Sequence, residues 1–173
     1  MPPPSLSLAG FQQRVVIGLA ELVVSNNPSA ILTTYSLGSC IGVAIYDPAV
    51  RVGGLLHAML PDSNLDPAKA QAHPGMFVDT GMAALLRAVC QMHADKRRLR
   101  IFLAGGARIM DDHNLFNIGD RNLAAFADWL RRENLRSNVE EVGGQVNRTI
   151  GLSVETGRVT LKVSGVTHEV NLC

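Results

Sequence analysis

The order of elements along the chain predicts an α+β fold, a single layered domain of strands, a helix, a strand, a second helix and closing strands. Three observations carry that prediction. The segment "CIGVAIYD", residues 40–47, alternates: Ile41, Val43 and Ile45 share one face, and Cys40, Gly42, Ala44 and Tyr46 share the other. The segment "MFVDTGMAALLRAVCQMHA", residues 76–94, repeats apolar residues at helical spacing, with Met82, Leu85, Leu86, Val89 and Met92 on one stripe. A chain of 173 residues, 47% hydrophobic and 18% charged, is long enough for one sizeable core and too short for two.

Residues 1–10, "MPPPSLSLAG", read as a flexible arm, because three successive prolines fit neither a helix interior nor a sheet ladder. The remainder, 11–173, reads as one domain. "QRVVIGLAELVVS" is strand material with a bend or bulge at Gly18, and "AILTTYSL" is a short strand ending before Gly38. After 40–47, Asp47-Pro48 breaks the run and "VGGLLHAML" resumes extended structure. "DSNLDPAKAQAHPG" is expected to be a polar connection into the helix over 76–94. "LRIFLAGGA" is a short buried strand entering a glycine turn. "IGDRNLAAFADWLRRENL" is a second amphipathic helix with Asn117 or Asp120 as cap. "NVEEVGGQVNRTIGLSVETGRVTLKV" is two or three strands, with "ETGR" as a hairpin turn.

Composition also excludes. A net charge of +1 and 5% aromatics recommend neither nucleic acid nor an acidic membrane as partner. The one basic cluster, "KRRLR" at 96–100, reads as a solvated element end. Three cysteines at uneven spacing, Cys40, Cys90 and Cys173, form neither a disulfide framework nor a zinc pattern. With no signal peptide and no apolar run long enough to span a bilayer, the expected place is the cytoplasm, without membrane insertion. No exposed apolar helix face stands out, so a monomer is expected.

The chemistry concentrates in "TTYSLGSCIGVAIYDPAVRVGGLLHAMLP", residues 33–61, where Cys40 and His57 are set in an apolar run. If 40–47 and 53–60 form a hairpin, opposed positions have numbers summing to about 97–99, which places Cys40 opposite or nearly opposite His57. Side chains so paired have Cβ atoms roughly 4.5–5.5 Å apart and can share a proton. Gly38 permits a tight approach before the cysteine, and backbone N–H groups around Ser39 and Cys40 are placed to meet an oxyanion. Gly42 and Ala44 are expected to leave room for a substrate side chain. On residues alone, a buried cysteine beside a core histidine remains the competing reading. "GGARIMDD" lacks the lysine and spacing of a phosphate loop. Asp111, Asp112 and His113 are ordinary for a polar loop, so no metal site is expected, and Asn117, Arg121 and Asn122 read as caps and anchors of a helix.

"LGSCIGVAIYDP…GGLLHAMLP" resembles the signature of the CheD family, the chemoreceptor glutamine deamidases of bacterial and archaeal chemotaxis. "LAGGARIM", "NIGDRN" and "EEVGGQVNRTIGLSVETGRVTLK" are similar to further family segments in the same order, so the resemblance extends over most of the chain. It implies a three-layer α/β/β sandwich and a catalytic set of Cys40 as nucleophile, His57 as base and Thr34 as third member, with Ser39 and Gly38 at the substrate. Tyr35 and Ser36 stand where the family usually has aliphatic residues. The implied activity is conversion of glutamine to glutamate on chemoreceptor cytoplasmic helices through a cysteine thioester, without cofactor, starting from a resting ion pair with His57 protonated. Hydrolysis of glutamate methyl esters is a further implied activity. The alternative is an adaptor that binds chemoreceptors or a CheC-type response-regulator phosphatase with little or no catalysis.

Overall fold

The computed structural model describes residues 11–109 and 116–173. The expected arm over 1–10 and the loop residues Asp111, Asp112 and His113 lie outside the described residues. Strands β4 (Ile41–Asp47) and β5 (Val52–Ala58) are buried at all seven positions each. Burial on both faces requires a layer on each side, and the alternation at 41–46 says what each layer is. Ile41, Val43 and Ile45 join a core with Val78, Met82, Leu85 and Val89 of α2 (Val78–Gln91) and Phe126, Trp129 and Leu130 of α3 (Ile118–Glu133). Ala44 and Tyr46 turn the opposite way and meet Leu32, Ile150, Leu152 and Val159 from a second sheet.

The sheet between the two cores runs β2 (Leu22–Ser25), β5, β4, β6 (Arg100–Gly105), β7 (Val139–Val142). The outer sheet runs β1 (Gln13–Val16), β3 (Ala30–Leu37), β8 (Arg148–Ser153), β9 (Arg158–Val163), β10 (Val166–Asn171). Neighbours are antiparallel except β1 with β3 and β6 with β7. Helices, inner sheet and outer sheet make the expected three-layer α/β/β sandwich with two main helices.

Three elements depart from the sequence reading. The run 13–25 is two strands, not one, because the chain leaves the outer sheet at Ile17 and enters the inner one at Leu22. Each half carries a pair of valines, Val15-Val16 and Val23-Val24, so composition does not mark the crossing. The connection 62–75 holds a short helix, α1 (Pro67–Ala72), whose Lys69 N–H is capped by the Asp66 carboxylate and whose first residue is proline. Strand β10 follows a tight turn at Ser164 and Gly165, both with positive φ, and is mostly exposed, so it shows no core-facing alternation.

Three of the four charges of the basic cluster are paired within the fold. Arg98 pairs with buried Asp47 at 2.8 Å, Lys96 with Glu133 at 2.6 Å, and Arg97 with Asp95 at 2.7 Å. No helix among the described residues is long and apolar enough to cross a membrane.

Candidate active site

His57 lies on β5 with its side chain in the layer between the sheets, 2% exposed. Its Nδ1 is 2.7 Å from Oγ1 of Thr34, which is fully buried on β3. The Thr34 hydroxyl also donates to the Ile17 carbonyl at 2.8 Å. A hydroxyl has one proton, and Ile17 takes it, so Thr34 accepts from Nδ1–H. That fixes the tautomer: Nε2 carries the lone pair. Nε2 is buried and has no hydrogen-bond partner among the described residues. Thr33 faces the other way, onto the outer face of the outer sheet, as strand alternation requires.

A β-bulge completes this half. Register shifts between Thr34 and Leu37, with Ser36 at a φ of 57°. The extra residue resets the alternation, so Thr34 and Leu37 both point inward while Tyr35 and Ser36 are exposed. Leu37 then covers Gly42: a Cβ there would lie 2.6 Å from Leu37 Cδ1 and 2.9 Å from Ile150 Cδ1. The room expected at Gly42 for a substrate side chain is therefore filled by the protein's own core.

Cys40 sits in the loop between β3 and β4, half-buried against the inter-sheet core. In the hairpin every opposed pair sums to 99, and His57 faces Gly42. Cys40 is thus the diagonal neighbour of His57, not its direct partner, which in a regular ladder separates Cβ atoms by roughly 7–8 Å. The turn at 48–51 sets this register, one pair further along than direct opposition demands. The thiol makes no hydrogen bond to Nε2.

The loop itself is held by its carbonyls. Gly38 C=O accepts from Ala107 N–H at 2.8 Å, and Cys40 C=O accepts from Gly106 N–H at 2.9 Å. Ser39 C=O accepts from Nδ2 of Asn122 at 2.9 Å, and the same nitrogen donates to Met59 C=O at 3.0 Å. In trans peptides the N–H points opposite to the C=O, so the N–H groups of Ser39 and Cys40 are turned away from these anchors. Ser39 also borders a cavity of about 140 Å³ lined by Ala107, Ile109, Phe116 and Ile118.

Burial sets the resting charge. It pushes the Cys40 thiol up, partly offset by the residue's own N–H near the sulfur. It holds the His57 imidazole down at about 4. Both shifts disfavour charge on the thiol and the imidazole, and so weigh against the ion pair expected from the sequence. No group of three or more His, Cys, Asp or Glu able to hold a metal occurs among the described residues.

Sequence reasoning grouped Gly38, Ser39, Cys40 and His57, and the resemblance added Thr34; in the structure Thr34 Oγ1 lies 2.7 Å from His57 Nδ1, and residues 38–40 form the loop leading into β4. It missed the carbonyl of Ile17, which no side-chain pattern reveals. It also assigned Asn122 to helix anchoring alone. Asn122 occupies the buried stripe of α3 with Phe126, Trp129 and Leu130, and a polar residue on such a stripe is the signal that would have singled it out.

Fold and site together define a sandwich protein of the cysteine–histidine type, with a thiol, an imidazole and a buried hydroxyl gathered where two sheets meet. The chain belongs to the CheD family: the family described as CheD chemotactic sensory transduction matches residues 59–163. A relative from Syntrophus aciditrophicus, named "Probable chemoreceptor glutamine deamidase CheD 1", is 48% identical over 151 residues, 87% of this chain and 94% of that one. A relative from Solibacter usitatus with the corresponding name is 42% identical over 91% of this chain and 94% of its own. One from Pyrococcus horikoshii is 36% identical over 87% and 92%. The family match begins two residues after His57, but a 151-residue stretch leaves only 22 of 173 residues outside it and so includes positions 34–57. The crystal structure of the Bacillus licheniformis hypothetical protein YfiH is similar at a TM-score of 0.43 and 15% identity, covering 70% of this chain and 49% of that one.

Proposed function

We propose that residues 11–173 act in the cytoplasm as a cysteine-dependent deamidase that converts glutamines on chemoreceptor cytoplasmic helices to glutamate. The observation that carries the reading is the chain from Ile17 C=O through the Thr34 hydroxyl to His57 Nδ1, which leaves Nε2 basic on the face that Cys40 shares. Relatives of this length bear deamidase names, which supports the reading from a second side.

Burial keeps the pair neutral, so His57 works during the attack and not before it. As the Cys40 sulfur bonds to the carboxamide carbon, Nε2 takes the thiol proton. The N–H groups of Ser39 and Cys40 receive the oxyanion. The imidazolium returns its proton to the departing nitrogen, ammonia leaves, and a thioester remains. Water then attacks the thioester with His57 again as base, giving glutamate and the free thiol. Thr34 keeps Nδ1 protonated throughout, a triad in which a hydroxyl backed by a carbonyl replaces the usual carboxylate. The same thioester forms from a glutamate methyl ester, with methanol as the leaving group.

The test is intact-mass spectrometry of a receptor cytoplasmic fragment incubated with wild-type protein and with Cys40→Ala. The expected result is a gain of about 1 Da per converted glutamine with wild type and none with the variant, while the fragment binds both. Binding without any mass gain by the wild type overturns the deamidase reading in favour of an adaptor, either for receptors or for a CheC-type phosphatase.

A further inference from the structure

Three successive carbonyls, Gly38, Ser39 and Cys40, are held from the side of β6 and α3. Two of the three donors are backbone N–H groups of Gly106 and Ala107, which any residue would supply. The third is a side chain, that of Asn122, and it is fully buried. Its amide orientation is dictated by chemistry: one end lies between two carbonyl oxygens, and only the NH2 end has hydrogens for both. Oδ1 has no hydrogen-bond partner among the described residues, so the amide is used for its two donors.

The fold is arranged to bring that amide in. At Gly119, one helical turn earlier, a Cβ would lie 2.6 Å from Ala107 C=O and 2.7 Å from Gly106 C=O. The first turn of α3 therefore rests directly on the backbone that holds Gly38 and Cys40, and Asn122 reaches past it. The two acceptors are not neighbours. Ser39 C=O belongs to the peptide whose nitrogen is Cys40's, whereas Met59 follows the end of the strand that carries His57.

We propose that Asn122 is a positioning residue for Cys40: its amide fixes the peptide bearing the Cys40 N–H and ties that peptide to the strand of His57. One amide thus sets both the direction of the oxyanion donor and the spacing between the nucleophile loop and the base. The inference rests on the reading of Cys40 as nucleophile. One of its two readouts needs no receptor, so the two readings fail separately.

The experiment compares wild type with Asn122→Ala, in receptor deamidation and in alkylation of Cys40 by iodoacetamide, the latter followed by mass of the Cys40 peptide. With the donor gone, kcat is expected to fall about 100-fold, the worth of a misdirected oxyanion donor, while KM stays within about 3-fold. Cys40 alkylation is expected to slow about 10-fold, because the N–H that stabilises the sulfur anion is no longer aimed at it. A merely structural asparagine predicts the reverse: a loosened loop exposes the thiol and speeds alkylation, with a lower Tm. Faster or unchanged alkylation, or a loss confined to Tm, overturns the proposal whether or not receptors are deamidated. If wild type deamidates no receptor while Asn122→Ala still slows alkylation, positioning stands and the deamidase reading falls. Should Asn122→Ala fail to fold, Asn122→Ser keeps one donor, carried one bond closer to the helix backbone than Nδ2. It is expected to show smaller losses of the same sign, and wild-type values in both readouts overturn the proposal.

Discussion

The histidine half of the site and the cysteine half are held by different means. His57 is oriented by side chain and backbone deep between two sheets, in a relay that crosses from the inner sheet to the outer one. Cys40 is oriented almost wholly through carbonyls of its own loop, held by the backbone that follows β6 and by Asn122 of α3. The difference teaches that the proposed base and the proposed nucleophile answer to separate parts of the fold. A defect in the outer sheet reaches the proton, and a defect in α3 or in residues 105–107 reaches the sulfur and the oxyanion.

His57→Gln gives the largest separation of the two halves. It removes the base and leaves the loop intact, so kcat/KM for deamidation is expected to drop about 10³- to 10⁴-fold with receptor binding retained, as measured by initial rates and by pull-down. The same variant tests the buried, neutral state. The folded imidazole sits at about 4, below its ordinary 6.5, so between those values the unfolded chain binds the extra proton. Stability therefore rises with pH across that window and is lost as pH falls through it, by about 2–3 kcal/mol for this residue. Denaturant midpoints from pH 7 to pH 4 should show that loss in wild type, and in His57→Gln only the slope due to other groups. An equal slope in both would place the imidazole in water.

Thr34→Val is expected to be milder, about 30-fold in kcat, the equivalent of one hydrogen bond of about 2 kcal/mol to the active tautomer. Thr34→Ser should restore most of it. The smallest effect belongs to the adjacent residue. Thr33 Oγ1 is buried without a partner among the described residues, so Thr33→Val removes no hydrogen bond. Activity should stay at wild-type values, with stability within about 0.5 kcal/mol. Two neighbouring threonines with equal effects would mean that the relay does not orient His57.

The inner layer was legible because it is buried on both faces. In β4 and β5 every position is buried, and the two polar exceptions, Asp47 at the end of β4 and His57 within β5, stand out against an apolar background. The helices announced themselves by period, and the hairpin by the break at Asp47-Pro48. Resemblance to a family added Thr34, which composition alone does not distinguish from Thr33. What stayed hidden has physical reasons. The register depended on the turn at 48–51, where a two-residue difference in loop length decides between a direct and a diagonal partner. The resting charge depended on burial that no spacing reports. Ile17 acts through a carbonyl, and every residue has one. Asn122 was readable as helical and polar, but its two acceptors lie 63 and 83 residues away in sequence.

The burial that pushes the Cys40 thiol up has a bearing on the protein's durability. Peroxide oxidation and disulfide exchange both proceed through thiolate, which burial disfavours at the half-buried Cys40 sulfur. The exposed thiols of Cys90 and Cys173 carry no such protection. Under brief hydrogen peroxide treatment, a sulfenic-acid trap should label those two ahead of Cys40, and early labelling of Cys40 would show that it rests as thiolate. If Cys40 is the nucleophile proposed above, burial keeps it reduced between turnovers, and oxidation falls first on the exposed cysteines.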